Sequence, residues 1–62
     1  MKLDEAIVKV KSGEGIKIIS DDFKPGEFVY ISKTNHLCFH SHTGMNGVYH
    51  GSADSGKNWR VE

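Results

Sequence analysis

The sequence predicts an α+β fold, one N-terminal helix packed on a small antiparallel β-sheet, and three observations carry it. Apolar residues recur at helical spacing only near the start, at Leu3, Ile7 and Val10. β-branched and aromatic runs follow, divided by turn signals such as Pro25-Gly26 and Gly44-Met45-Asn46-Gly47. His36-Leu37-Cys38-Phe39-His40-Ser41-His42 then alternates, with Leu37 and Phe39 on one face and His36, Cys38, His40 and His42 on the other.

The elements read in order. A helix runs from about Asp4 to Ser12, with Asp4 as N-cap and Leu3 positioned to staple onto Val8. Leu3, Ala6, Ile7 and Val10 would face the core, Lys9 and Lys11 suit the C-terminal end of the dipole, and Gly13 stops the helix. Gly15 to Ile19 is a first strand, rich in isoleucine. Glu27 to Ser32 is a second, with Phe28 and Tyr30 on one face and Val29 and Ile31 on the other. Lys33-Thr34-Asn35 makes a hairpin connection into the histidine strand. A fourth strand is expected over Val48 to Ser52, then a polar stretch to Asn58, then a last strand at Trp59-Arg60-Val61.

Size and charge narrow the function. The chain has 62 residues, enough for one domain, 1–62, with a modest core. Chains of this length gain stability from oligomerising or from a metal. A single cysteine, Cys38, permits no internal disulfide and points to a reducing compartment. Lys+Arg and Asp+Glu balance at 8 each, which argues against a nucleic-acid partner. No apolar run is long enough to span a bilayer and no signal-peptide core is visible, so the expectation is a soluble, intracellular protein without a membrane partner.

No catalytic constellation emerges. Positions i and i+4 of a strand lie roughly 13 Å apart, too far for one tetrahedral ion to take both His36 and His40. His40 and His42 with His50 from the neighbouring strand form the more reasonable metal set, with no acidic partner evident to orient them. Cys38 has histidines two residues away on both sides, but side chains at that spacing stand parallel instead of converging. Ala53-Asp54-Ser55-Gly56-Lys57 lacks the first glycine and the hydroxyl residue of a phosphate loop, although Lys57 could still meet an anion. Asp4/Glu5 and Asp21/Asp22 belong to a helix start and a loop, not to a cleft. What is left is a polar face. Imidazoles offer a donor, an acceptor and a stacking surface, and Tyr30, Tyr49, Asn46, Asn58, Lys57 and Arg60 stand in the same sheet or at its edges. Such a set suits a nucleotide-like ligand; the alternatives are a solvated face or a sister subunit.

Two segments resemble a known family. The opening, Leu3-Asp4-Glu5-Ala6-Ile7 through Val10-Lys11-Ser12-Gly13-Glu14-Gly15-Ile16, is similar to that of the phage Thoeris anti-defence family, second type, whose members act as nucleotide sponges. His36-Leu37-Cys38-Phe39, Gly47-Val48-Tyr49-His50-Gly51-Ser52-Ala53-Asp54 and Asn58-Trp59-Arg60-Val61 resemble the family's end, in the same order. The chain departs from the pattern at Ser20-Asp21-Asp22-Phe23, where the family commonly carries an Arg and a Trp, and at Asn58-Trp59, where it carries Asp-Trp. The resemblance implies a small phage protein, a homo-oligomer in the cytoplasm of an infected bacterium. It would sequester a cyclic nucleotide immune signal, such as a cyclic ADP-ribose isomer or cyclic dinucleotide, without enzymatic cleavage and without a cofactor. The residues expected to meet the ligand are His40, His42 and His50, helped by Tyr30, Lys57 and Asn58. The alternatives are a phage inhibitor that binds a host protein through the same face and a His-rich metal-binding module.

Overall fold

The computed structural model describes residues 1–50 and 58–62. Helix α1 (Leu3–Lys11) packs against a five-stranded sheet made of β1 (Ile18–Ser20), β2 (Phe28–Ile31), β3 (Leu37–His40), β4 (Asn46–Val48) and β5 (Trp59–Val61). All pairings are antiparallel, the α+β arrangement the sequence predicts. The first four strands meander. β5 leaves the meander and lies beside β1, giving the order β4-β3-β2-β1-β5.

The helix begins at Leu3 with Lys2 as its cap, so Asp4 lies within the first turn and is not the N-cap. Lys2 has no side-chain acceptor to offer; instead the Glu5 carboxylate reaches back to the Lys2 backbone N–H at 3.4 Å. Leu3 and Ala6 are buried against the sheet, and Ile7 and Val10 flank them. Val8 is 65 % exposed, so the expected staple onto Leu3 does not form. Leu3 already belongs to the helix and directs its side chain to the core. The C-terminus ends in a Schellman motif: Gly13 N–H donates to Val10 and Glu14 N–H to Lys9, with Gly13 at φ +86°.

Strand alternation sorts the sheet into two faces. Ile18, Val29 and Trp59 turn toward α1 and form the core with Leu3 and Ala6; Phe23, Leu37, Phe39, Tyr49 and Val61 pack around them. Phe23 meets both Phe39 and Trp59 edge-on at 5.5 Å between ring centroids, the offset that ring quadrupoles favour. Ser20 is buried in this core, and its hydroxyl donates to the Asp22 carboxylate.

Two strands differ from expectation. β1 starts at Ile18 and not Gly15, because the N–H groups of both Ile16 and Lys17 donate to the Glu62 carbonyl at 2.9 Å. Two residues facing one make a bulge, which throws Ile16 outward to 73 % exposure. β4 lies at Asn46–Val48, earlier than the Val48 to Ser52 expected. Gly44, at φ +88°, closes the preceding turn with its N–H on the Ser41 carbonyl. Tyr49 therefore falls on the core face, 6.3 Å from Phe39 and 6.1 Å from Trp59, and not on the polar face. Gly51, Ser52 and the polar stretch through Lys57 lie outside the described residues.

A Cβ on Gly15 would overlap Val61 Cγ1 and sit 3.0 Å from the Glu62 carbonyl oxygen, whereas one on Gly47 would meet nothing within 4 Å. Gly15→Ala is expected to cost about 1–3 kcal/mol by overpacking, and Gly47→Ala to stay within about 0.5 kcal/mol of wild type. Urea unfolding of the two variants checks this; equal midpoints would contradict it.

Candidate functional site

The face of the sheet turned away from α1 is built by the residues that alternate with the core. Register sets Phe28 directly opposite His40 and Tyr30 opposite Cys38. The Phe28 and His40 rings stack at 4.7 Å with planes 25° apart, and Tyr30 leans on Phe28 at 5.9 Å. Lys17 Nζ stands 4.9 Å from the Phe28 ring centre, a cation–π contact. Three aromatic rings and one ammonium thus share one patch.

Asn46, paired with His40 across β3 and β4, organises the polar side of the patch. Its Oδ1 accepts from the Tyr30 hydroxyl at 3.2 Å and from His40 Nδ1 at 2.8 Å. Neutral His40 therefore carries its proton on Nδ1 and presents Nε2 as an acceptor. Loss of surrounding water raises the Tyr30 pKa above its ordinary 10.0, and neighbouring Cys38 raises it further. The phenol stays protonated at neutral pH, as its bond to Asn46 requires.

Two open clefts meet at this patch. One, of about 320 Å³, is lined by Ile16, Lys17, Phe28, Tyr30, Ile31 and Asn46. The other, of about 390 Å³, runs under the 21–27 loop toward Arg60 and Glu62. Lys17 and Phe28 line both. The first is mainly apolar. The second is polar and charge-balanced, with Arg60 held by Asp21 at 3.6 Å and by Glu62 at 3.1 Å.

Of the residues expected to meet the ligand, this face joins His40 and Tyr30 among those described, and Asn46, which the sequence places in the same sheet, bonds to both. β3 ends at His40, so His42 sits in the following turn, where its Nδ1 meets Glu27 Oε2 at 3.0 Å. His36 precedes β3 and is tied to Thr34 at 2.8 Å. His50 is exposed beyond β4, and the β3–β4 register carries it toward the His36 end, away from His40. Asn58 precedes β5 on the far side of β1, where its carbonyl accepts from Asp21 N–H at 3.1 Å. Lys57 lies outside the described residues. His40, His42 and His50 thus do not form one cluster, and among the described residues no three His, Cys, Asp or Glu side chains could hold a metal ion. Cys38 directs its thiol at the His36 carbonyl at 3.7 Å and not at an imidazole.

Phe28, Lys17 and Glu27 are the site residues that sequence reasoning missed. The alternation of Phe28 with Tyr30 was visible, but only the register reveals that Phe28 stacks on His40. Comparison with protein-family models, curated proteins and solved structures returned no match.

Glu27 anchors one border of the site. The Lys24 backbone N–H, 2.8 Å away, and then the His42 side chain hold its carboxyl below the ordinary 4.5. A depressed carboxyl contributes stability that is full above its unfolded pKa and lost as pH falls through the folded one. In a carbon-detected titration Glu27 is expected to have its midpoint below 4.5. His42→Gln should raise that midpoint part of the way, since the Lys24 bond stays; a wild-type midpoint at or above 4.5 would contradict the assignment.

Proposed function

We propose that this chain is a small non-enzymatic phage protein that holds a cyclic nucleotide immune signal on the outer face of its sheet, in the cytoplasm of an infected bacterium. The observation that carries the reading is the stacked Phe28–His40 pair with Lys17 beside it. A purine needs a flat apolar surface, and aromatic side chains supply one. A phosphate needs a cation, and Lys17 lies where both clefts meet. His40 Nε2 is an acceptor for an exocyclic amino group. Cys38 turns its thiol to the His36 carbonyl, and capture without cleavage is carried over from the family the chain resembles. The cyclic nature of the ligand and the phage setting come from the resemblance of the chain's opening and end to the Thoeris anti-defence family.

A second reading is favoured by one observation: Ile16 and Val48 stand 73 % and 62 % exposed on or beside the same face. Apolar groups there suit a host protein partner.

Calorimetric titration with cyclic ADP-ribose isomers and cyclic dinucleotides separates the two. Binding of at least one is expected, with the nucleotide recovered intact by chromatography. Phe28→Ala should weaken it by roughly 5- to 150-fold, the equivalent of about 1–3 kcal/mol for one stacked base. No heat with any of these nucleotides would overturn the sponge reading.

A further inference from the structure

We infer that the free edge of β4 pairs with the same edge of a second copy of this chain, joining two sheets about a two-fold axis at Gly47. This goes beyond the ligand reading and stands whether or not a nucleotide binds. Hydrogen-bond parity carries it. Ser41 N–H donates to Met45 and Tyr49 N–H to Leu37, so residues 45, 47 and 49 turn their backbone groups to β3. The N–H and C=O groups of Asn46 and Val48 therefore point out of the sheet at its terminal strand. Antiparallel pairing about Gly47 sets Asn46 against the second copy's Val48 and the reverse. Each such pair exchanges two backbone bonds, so all the outward groups of both β4 strands are satisfied.

The two edges of the sheet are treated differently. At β5 the outward groups of Trp59 are taken by Met1, whose carbonyl accepts from Trp59 N–H at 3.1 Å and whose amine donates back at 3.2 Å. At β4 no such cover exists among the described residues. β4 is a three-residue strand, and Met45 through Tyr49 carries no lysine, proline or inward charge, the side chains that commonly blunt an edge. Met45 and Val48 are 73 % and 62 % exposed. The chain's formal net charge of +0 leaves no long-range repulsion between copies.

The test fixes the register as well as the contact. Gly47 and its symmetry mate would form a non-hydrogen-bonded pair with Cα atoms about 4.5 Å apart, within the range of a disulfide. Gly47→Cys in a Cys38→Ser background is expected to give a covalent dimer under mild oxidant. Val8→Cys in the same background, on the exposed helix face, should stay monomeric on denaturing gels. By sedimentation equilibrium, Val48→Pro removes only an outward N–H and should weaken self-association roughly tenfold or more. Val48→Lys, which keeps the backbone, should do the same. A wild-type chain that is monomeric at millimolar concentration overturns the inference. So does a dimer that survives both Val48 substitutions without Gly47→Cys cross-linking.

Discussion

Burial of Trp59 is the constraint on which the rest of the molecule depends. Its indole is 3 % exposed, meets Phe23 and Tyr49 edge-on, and sits in a strand that exchanges backbone bonds with Met1 on one side and pairs with β1 on the other. A chain of this length buries only about 60 % of its unfolded surface, so one large side chain near the C-terminus cannot be left outside. Seating it requires β5 to abandon the meander and cross to β1. That placement lets α1 cover β5, β1 and β2 together, with Leu3 and Ala6 against Ile18, Val29 and Trp59. It also brings the two ends of the chain side by side. Phe23, from the loop after β1, completes the core by reaching over to Phe39, which α1 does not cover.

A single helix can cover one face of a sheet and no more. Among the described residues no second layer covers the other face, so it must be stable against water as it stands, and its composition reflects that. Phe28 and His40 shield each other by stacking, Lys17 lays a charge on the aromatic surface, and Asn46 satisfies Tyr30 and His40 at once. The same contacts that make the face tolerable in solvent make it preorganised. The rings are held by cross-strand register rather than by loops, so a flat ligand would meet them with little ordering cost.

Much of this was legible in the residues. The helix, its Gly13 stop, the parity of Phe28 and Tyr30 against Val29, and the anchoring of Leu37 and Phe39 all follow from periodicity, which is local. What periodicity cannot supply is pairing between distant segments. The staple from Leu3 to Val8 fails because Leu3 is already helical and buried in the core, while Val8 faces solvent. β1 begins later than its isoleucine-rich run because the Glu62 carbonyl takes the N–H groups of both Ile16 and Lys17. Tyr49 joins the core because the β3–β4 register sets it beside Leu37 and Phe39. The histidine row illustrates both sides. Its alternation is real at Cys38 and His40, but His36 and His42 leave the strand for partners, Thr34 and Glu27, that no spacing rule names. Residues 46 and 28 acquire their meaning only through the register that sets them on either side of His40.

Ligand capture is assigned to the outer sheet face and not to the helix side or the loops. Amide and aromatic NMR spectra of the labelled chain, recorded as a cyclic ADP-ribose isomer or a cyclic dinucleotide is added, test it most directly. The largest shifts are expected on Lys17, Phe28, Tyr30, His40 and Asn46, with the His40 imidazole Nε2 resonance moving as it accepts a hydrogen bond. Shifts centred on α1 or on the His50 and Asn58 ends of the sheet, with the Phe28 and His40 rings unmoved, would contradict it.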